Sequence, residues 1–279
     1  RAGDRVNDIT GVILTFNEAP NLARTLGPLS WLRDIVIVDS MSTDGTVAIA
    51  AAFPSVRIVT RAFTTHAEQW NFAIEQTGIA TEWVLAIDAD HVLSDGLVRE
   101  IQALQPDPAV AGFAASFDYC IDGQPLRNAA YPPVTVLYRR ARGRYEQDGH
   151  TQRVRVDGEV RPLAARIRHD DRKSLGHWIA AQARYMALEA DKLGGSHSGR
   201  LNLADQLRRW VVLAPPAMFV YCYFVRGGIL EGKAGLFYAL QRAASELILS
   251  LFLVRRAMPS WPGARTGPGG PAGGGAAQE

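Results

Sequence analysis

Trp83-Val84-Leu85-Ala86-Ile87-Asp88-Ala89-Asp90 carries an apolar, strand-prone run straight into two carboxylates. Apolar residues at consecutive positions leave a strand no wet face, so the run reads as one strand of a sheet covered on both sides. The same pattern lies upstream. Gly11 to Thr15 ends in Thr15-Phe16-Asn17-Glu18, Ile35 to Val38 ends in Asp39, and Val56 to Val59 is a third short strand. Between them, residues 17–29 read as a helix capped by Asn17 or Asn21, residues 46–53 as an Ala-rich helix, and residues 65–76 as a third. This β-α-β-α-β-α-β order predicts an α/β protein with a mostly parallel sheet flanked by helices. Ligands of such sheets bind beyond the carboxyl ends of the strands, which is where the polar clusters fall.

Further along, residues 112–119, 134–139 and 152–156 read as added strands of a mixed sheet. Residues 174–193 are helical, with Trp178, Ala181, Tyr185 and Leu188 along one face. Residues 210–224 are almost wholly apolar but fall short of the roughly 20 needed to span a bilayer, and they contain Pro215-Pro216. Residues 236–254 place Leu236, Leu240, Ala243, Leu247, Leu251 and Val254 on one side of a helix. That stripe suits packing on the core or contact in the plane of a membrane equally well. Beyond Trp261 the Gly/Pro/Ala-rich stretch is too poor in large apolar residues to bury a core, and is expected to be disordered.

Composition narrows the function. The 279 residues are 47% hydrophobic, with 30 Lys plus Arg against 28 Asp plus Glu, a formal charge of +2. So small an excess does not suit bulk phosphate neutralisation, and nucleic acid is not an expected partner. Cys120 and Cys222 stand far apart without a CxxC, which argues against a disulfide scaffold or structural zinc and fits a reducing compartment. Arg1 to Thr10 are polar, with no apolar run of the kind a secretory signal carries.

Asp88 and Asp90, placed where the backbone leaves the sheet, are close enough to share one hard divalent cation, Mg²⁺ or Mn²⁺, whose shell substrate phosphates commonly complete. Two carboxylates in a surface turn are common without a metal, but few such turns follow a buried strand beside two other polar strand ends. Asp39 sits directly at its strand end, suited to accept a hydrogen bond from a nucleobase or ribose, and Thr15, Asn17 and Glu18 occupy the equivalent place on the first strand. Ser42, Thr43, Asp44 and Gly45 are also what a capped turn alone would need.

Taken in order, Thr15-Phe16-Asn17-Glu18 with Asn21-Leu22, Val38-Asp39-Ser40 leading to Ser42-Thr43-Asp44-Gly45-Thr46, Gln69-Trp70-Asn71-Phe72-Ala73, and Trp83 through Asp88-Ala89-Asp90 resemble the inverting family 2 glycosyltransferases. The resemblance covers roughly residues 8–250, strongly in the first hundred, and leans to the branch that includes lipopolysaccharide core β-glucosyltransferases. It implies the GT-A (Rossmann-like) fold over residues 1–200. Residues 201–258 would form an apolar helical region that docks on membrane or dimerises, ahead of a tail over 259–279.

The resemblance further implies a nucleotide-diphosphate-sugar donor, UDP-glucose or another UDP-sugar first, held by Thr15, Asn17, Glu18, Asp39, Gln69, Asn71, Asp88, Ala89 and Asp90. Asp88 and Asp90 would be the metal ligands. Inversion needs a general base for the acceptor hydroxyl, for which Asp148 is the first choice and Glu146 the second. The branch commonly has a His-Glu pair near here, whereas this chain has His150 followed by Thr151. His91 and Trp70 are two further departures, standing where the branch carries an acid and many relatives an Arg. His91 reads as a loop residue before a third metal ligand, and Trp70 as core before a stacking partner for the nucleotide. His150, His169 and Arg172 are expected near the acceptor or diphosphate, all within a segment, 139–173, that holds eleven Lys/Arg against six Asp/Glu. The expected setting is the cytoplasmic face of a bacterial inner membrane, with a saccharide or glycolipid acceptor in cell-envelope glycan assembly. Undecaprenyl phosphate as acceptor, and a non-catalytic nucleotide-sugar-binding scaffold, are the alternatives. A sugar nucleotidyltransferase ranks last, because no Gly-rich phosphate loop follows the first strand.

Overall fold

The computed structural model describes residues 8–127, 129, 131–148, 151–194 and 211–258. Its first half follows the expected order: β1 (Ile9–Thr15), α1 (Leu22–Leu26), β2 (Asp34–Asp39), α2 (Thr46–Ala51), β3 (Val56–Thr60), α3 (His66–Gln76) and β4 (Trp83–Asp88). There follow β5 (His91–Leu93), α4 (Asp95–Ala103), β6 (Val110–Ile121), β7 (Gln124–Leu126), β8 (Val134–Arg139), β9 (Gly143–Asp148), β10 (Thr151–Val156) and β11 (Glu159–His169). The helices α5 (Leu175–Gly194), α6 (Ala214–Val220) and α7 (Gly232–Ala257) complete it. Among the described residues nine strands form one sheet, in the order β3-β2-β1-β4-β8-β6-β11-β5, with β7 on the edge of β6. The β1–β2, β2–β3, β1–β4 and β6–β11 pairs are parallel, whereas β8 and β5 run antiparallel to their neighbours. This is the mixed, mostly parallel sheet expected of a GT-A fold.

Neighbouring positions of β1 point into different cores, as a strand of period 2 requires. Ile13 packs with Leu22, Leu26, Ile35, Ile37, Leu85, Ile87, Leu97 and Phe113 on one face. Val12 packs with Val36, Val38, Trp70, Ala73, Ile74, Val84 and Tyr138 on the other. Both layers are dry, which is why these strands could be unbroken apolar runs.

The strand order reverses at β1, with β2 on one side and β4 on the other, so the crevice of the switch point opens beyond the carboxyl ends of β1 and β4. Register places Leu14 beside Asp88 and Thr15 beside Asp39.

Three points differ from the expectations. The helix read over 17–29 is one short turn, α1, running into a 3₁₀ turn at Gly27–Leu29. Asn17 lies outside it with a left-handed φ of 55°, and Asn21 makes no capping bond because its side chain is used elsewhere. Residues 152–156 leave the main sheet and pair with β9 as a separate hairpin. The three-residue β5 and eleven-residue β11 were not anticipated, since β5 is too short for any pattern and β11 alternates charged residues. The stripe of residues 236–254, for which core packing and membrane contact were equally suited, faces outward. Residues beyond 258, including the tail, lie outside the described residues.

Candidate active site

The loop after β1 is held by hydrogen bonds to the loop after β2. Thr15 Oγ1 donates to Asp39 Oδ1 at 2.8 Å, Ser42 donates to the same carboxylate through N–H (2.8 Å) and hydroxyl (2.6 Å), and Asn17 N–H donates to Ser42 Oγ at 2.8 Å. Asn17 Oδ1 accepts the N–H of Thr43 at 2.8 Å. The left-handed conformations of Asn17 and Met41, costly for residues with a Cβ, are stabilised by this lattice. Asp39 is 1% exposed, and three of its four acceptor positions are taken from within the chain.

Gln69 and Asn71 also spend their amides on protein partners. Gln69 donates to Ser40 Oγ and to the Arg61 carbonyl, both at 3.1 Å, and accepts from the Arg61 guanidinium. Asn71 pairs with the backbone of Tyr145 in both directions, donating at 3.0 Å and accepting at 2.9 Å. Together with Trp70, stacked on Tyr145 at 5.2 Å, it docks the β9–β10 hairpin on α3. Trp70 is thus a core residue, as its placement on a helix favoured.

The centre lies at the end of β4. The Ala89 carbonyl accepts from Thr25 Oγ1 at 2.6 Å, which anchors the turn between the two aspartates. The short β5 then pairs antiparallel with β11 in a register that sets His91 opposite His169. His169 Nε2 consequently lies 3.1 Å from Asp90 Oδ2. Burial disfavours charge on both groups, but their mutual attraction outweighs it. The carboxyl of Asp90 is held well below its ordinary range and the imidazole of His169 above its own. Asp90 Oδ1 and His169 Nδ1 are buried without a hydrogen-bond partner among the described residues.

Asp90, His91 and His169 offer ligand atoms within 4.8 Å of one another, a group able to hold a metal ion. Protonation distinguishes the two histidines. His91 Nδ1 accepts the backbone N–H of Asp88 at 3.1 Å, so a neutral ring carries its proton on Nε2. That nitrogen faces Asp88 Oδ2 at 3.6 Å and Asp90 Oδ1 at 3.9 Å. Burial lowers the His91 pKa despite both carboxylates, which keeps the ring neutral. His91 in this tautomer therefore has no lone pair free for a cation, and its Nε2–H has no hydrogen-bond partner among the described residues. It is 4% exposed, not the loop residue expected. Within that group the unpartnered Asp90 Oδ1 is the atom best suited to a hard divalent ion.

A second layer positions His169. Asp170 N–H donates to the Asp90 carbonyl at 3.1 Å, and the Asp170 carboxylate takes Arg24 (2.8 Å), Arg172 (2.9 Å) and the N–H of Gly123 (3.0 Å). The guanidinium of Arg172, expected near a diphosphate, thus turns to Asp170. Its neighbour Lys173 points the other way, with Nζ 2.6 Å from Glu18 Oε1 and 3.5 Å from Asp171. Asn21, fully buried, donates to Glu18 and Asp171 and accepts from Arg24 and Arg172 N–H, each at 2.8 Å. Lys173, Tyr119 and Tyr131 were missed in the sequence. Only the basic surplus of 139–173 hinted at Lys173, and the tyrosines, whose rings both lie 5.0 Å from His169, had no motif to mark them. Burial pushes both phenols up, so they stay protonated donors.

Glu146 and Asp148 lie on β9, in the separate hairpin. Glu146 is exposed and paired with Arg155 across that hairpin, Asp148 ends β9 opposite Thr151, and His150 lies outside the described residues.

Burial pushes the Glu18 carboxyl up from 4.5 to about 7, with Lys173 opposing and Asp90 reinforcing. The fold keeps a proton here that the unfolded chain has released. Below pH 4.5 both states are protonated and stability does not vary through this group; above it, stability falls by about 1.4 kcal/mol per pH unit until the folded pKa is passed. Glu18→Gln is expected to remove that slope between pH 5 and 7, measured by denaturant melts at each pH. Equal slopes in the two proteins would disprove the assignment.

The model of the family described as glycosyl transferase family 2 matches residues 10–173. Over 253 residues the chain is 28% identical to the lipopolysaccharide core biosynthesis glycosyltransferase LpsC of Rhizobium meliloti (strain 1021), covering 85% of this chain and 90% of that protein. An uncharacterized glycosyltransferase of Rickettsia felis is 36% identical over 95 residues, 34% of this chain and 32% of its own length. Among solved structures, TarS 1-349 of S. aureus in complex with UDP-GlcNAc aligns with a TM-score of 0.47 at 12% identity, covering 90% of this chain and 91% of that one.

Proposed function

The chain belongs to glycosyl transferase family 2, and from that we propose that it is a metal-dependent, inverting hexosyltransferase. In this reading it moves a sugar from a UDP-sugar to a glycan or glycolipid acceptor in lipopolysaccharide core or related cell-envelope glycan assembly. The observation that carries the reading is the Asp90–His169 pair at the switch-point crevice, with one buried Asp90 oxygen left unpartnered. The similarity to LpsC across most of both chains supports the acceptor class.

Asp88, Asp90 and His169 would hold Mg²⁺ or Mn²⁺, which when bound supplies Lewis-acid stabilisation to the charge building on the leaving diphosphate. Asp170, whose N–H binds the Asp90 carbonyl, keeps His169 against Asp90, so that pair is ordered before the donor arrives. Lys173, held charged by Glu18 and Asp171, adds a cation beside Asp90 for the diphosphate. Thr15 and Asp39 frame the base end. With three of its acceptor positions filled, Asp39 has one left, which matches the single N3–H of uracil; cytosine has no N–H at that ring position and guanine offers two donors. Asp148 is the general base, delivered by the hairpin that Asn71 and Trp70 dock on α3. It takes the proton of the acceptor hydroxyl as that oxygen attacks the anomeric carbon from the face opposite the diphosphate.

Titration calorimetry with UDP, GDP and CDP, each with and without Mn²⁺, tests the reading. UDP binding that Mn²⁺ strengthens at least tenfold is the expected result. A folded protein that binds none of the three would overturn the reading.

A further inference from the structure

The helix α7 turns large apolar side chains outward along its length and keeps three polar ones buried. Leu236, Leu240, Leu247, Leu251 and Val254, all exposed, recur at helical spacing along one face, with Phe237 and Met258 beside them. The stripe runs for about 27 Å at 1.5 Å per residue. The inward face, besides Tyr238, Ala239 and Leu249, carries the polar Ser245, Glu246 and Ser250, all buried. Ser245 bonds Gln182 of α5 at 3.0 Å, and Ser250 donates to the Val211 carbonyl at 2.6 Å. Soluble helices place these residue types the other way round. Next to the stripe, the chain that joins α6 to α7 exposes Val220, Phe224, Val225, Ile229 and Leu230, the last at 85%.

We propose that this face of α7 and the α6–α7 connection lie in the surface of an anionic lipid bilayer, as an in-plane amphipathic element. Charge selects this occupant. The exposed charges of α7 are Lys233 at one end of the stripe and Arg255 and Arg256 at the other, Arg256 being paired with Asp191 of α5 at 2.7 Å, and α7 carries no exposed acid between them. Two copies packed stripe to stripe, parallel or antiparallel, would set positive ends against positive ends, whereas lipid phosphates complement both. Gly228–Ala257 is long and apolar enough to cross a membrane. Crossing would carry into hydrocarbon the exposed Arg184 and Asp191 of α5, which packs along α7, so the in-plane arrangement is the one that fits. The inner face of α7 approaches the candidate active site: Tyr238 contacts Tyr119 at 5.2 Å, and Tyr119 contacts His169 at 5.0 Å. If the proposed transferase activity holds, the bilayer lies one helix thickness from the reacting groups, and the acceptor is lipid-borne.

The test is co-sedimentation of the full chain with extruded vesicles, without donor nucleotide, so that it is independent of the enzymatic reading. Binding to phosphatidylethanolamine/phosphatidylglycerol (3:1) vesicles at least fivefold tighter than to phosphatidylcholine is expected, together with a drop of at least tenfold in Leu247→Glu/Leu251→Glu at unchanged circular dichroism. Should the double variant not fold, Leu251→Gln, at a position 62% exposed, is expected to weaken binding about threefold. Absence of wild-type binding, or equal binding by the variants, would overturn the proposal. So would a wild-type dimer in sedimentation velocity that Leu247→Glu/Leu251→Glu splits, since the stripe would then join two copies.

Discussion

Asp90→Asn is expected to lower sugar transfer by at least about a thousandfold while leaving the fold in place. The substitution keeps the shape of the side chain and removes its charge, and three dependencies meet at that charge. Asp90 Oδ1 is the buried acceptor with no protein partner among the described residues, so it is the oxygen a cation would claim. Losing one of two carboxylate ligands weakens binding of a hard metal ion and exposes the leaving diphosphate to uncompensated charge. The charge also raises the pKa of His169 above its usual range. In the Asp90→Asn variant the imidazole should titrate lower, readable by NMR, and melting should shift by only a few degrees because His169 can go neutral instead of staying a buried unpaired cation. Turnover and metal dependence close to wild type would remove the metal role from this residue.

The second large effect is expected from the hairpin. Asp148→Asn should lower kcat by about a hundredfold to ten-thousandfold, the range of a lost general base, with UDP affinity changed less than about twofold. Glu146→Gln should stay near wild type, because its carboxylate is exposed and engaged with Arg155. The contrast is informative because the two residues are close neighbours on one strand in very different settings: one is tied to Arg155, the other stands at the strand's end. The hairpin is anchored by the two-way bond between Asn71 and Tyr145 and by the Ala67 N–H on Gln147 at 3.1 Å, so neither substitution should loosen it. A normal rate in Asp148→Asn with a collapse in Glu146→Gln would transfer the role to Glu146.

The reach of sequence reading varied with the range of the forces involved. The first four strands were legible because burial on both faces demands consecutive apolar residues, and the capping Thr65, whose hydroxyl accepts from Glu68 N–H at 3.2 Å, marked the start of α3. The aspartates at the end of β4 were legible from their place after such a strand. Asn21 was misread as a cap, since a short amide before an apolar run is a cap in most contexts, and only the return of the chain at Asp171 and Arg172 gives it other partners. Gln69 and Asn71 were expected to touch the donor. Their bonds to Arg61, Ser40 and Tyr145 show that a motif can be built around what holds the site together.

What was written locally in the chain is the alternation of strand and helix, the dry parallel sheet and the two aspartates at the end of its fourth strand, because hydrophobic period and turn chemistry act over a few residues. What only the tertiary structure decided is the chemistry at that strand end. His169 reaches Asp90 across 79 residues of chain, and Lys173 reaches Glu18 across 155. The three-residue β5, too short to signal itself, sets His91 against His169 by strand register. Which histidine can ligate, which cation faces the carboxylates, and which side of α7 is left bare all depend on partners that come together only when distant segments pack.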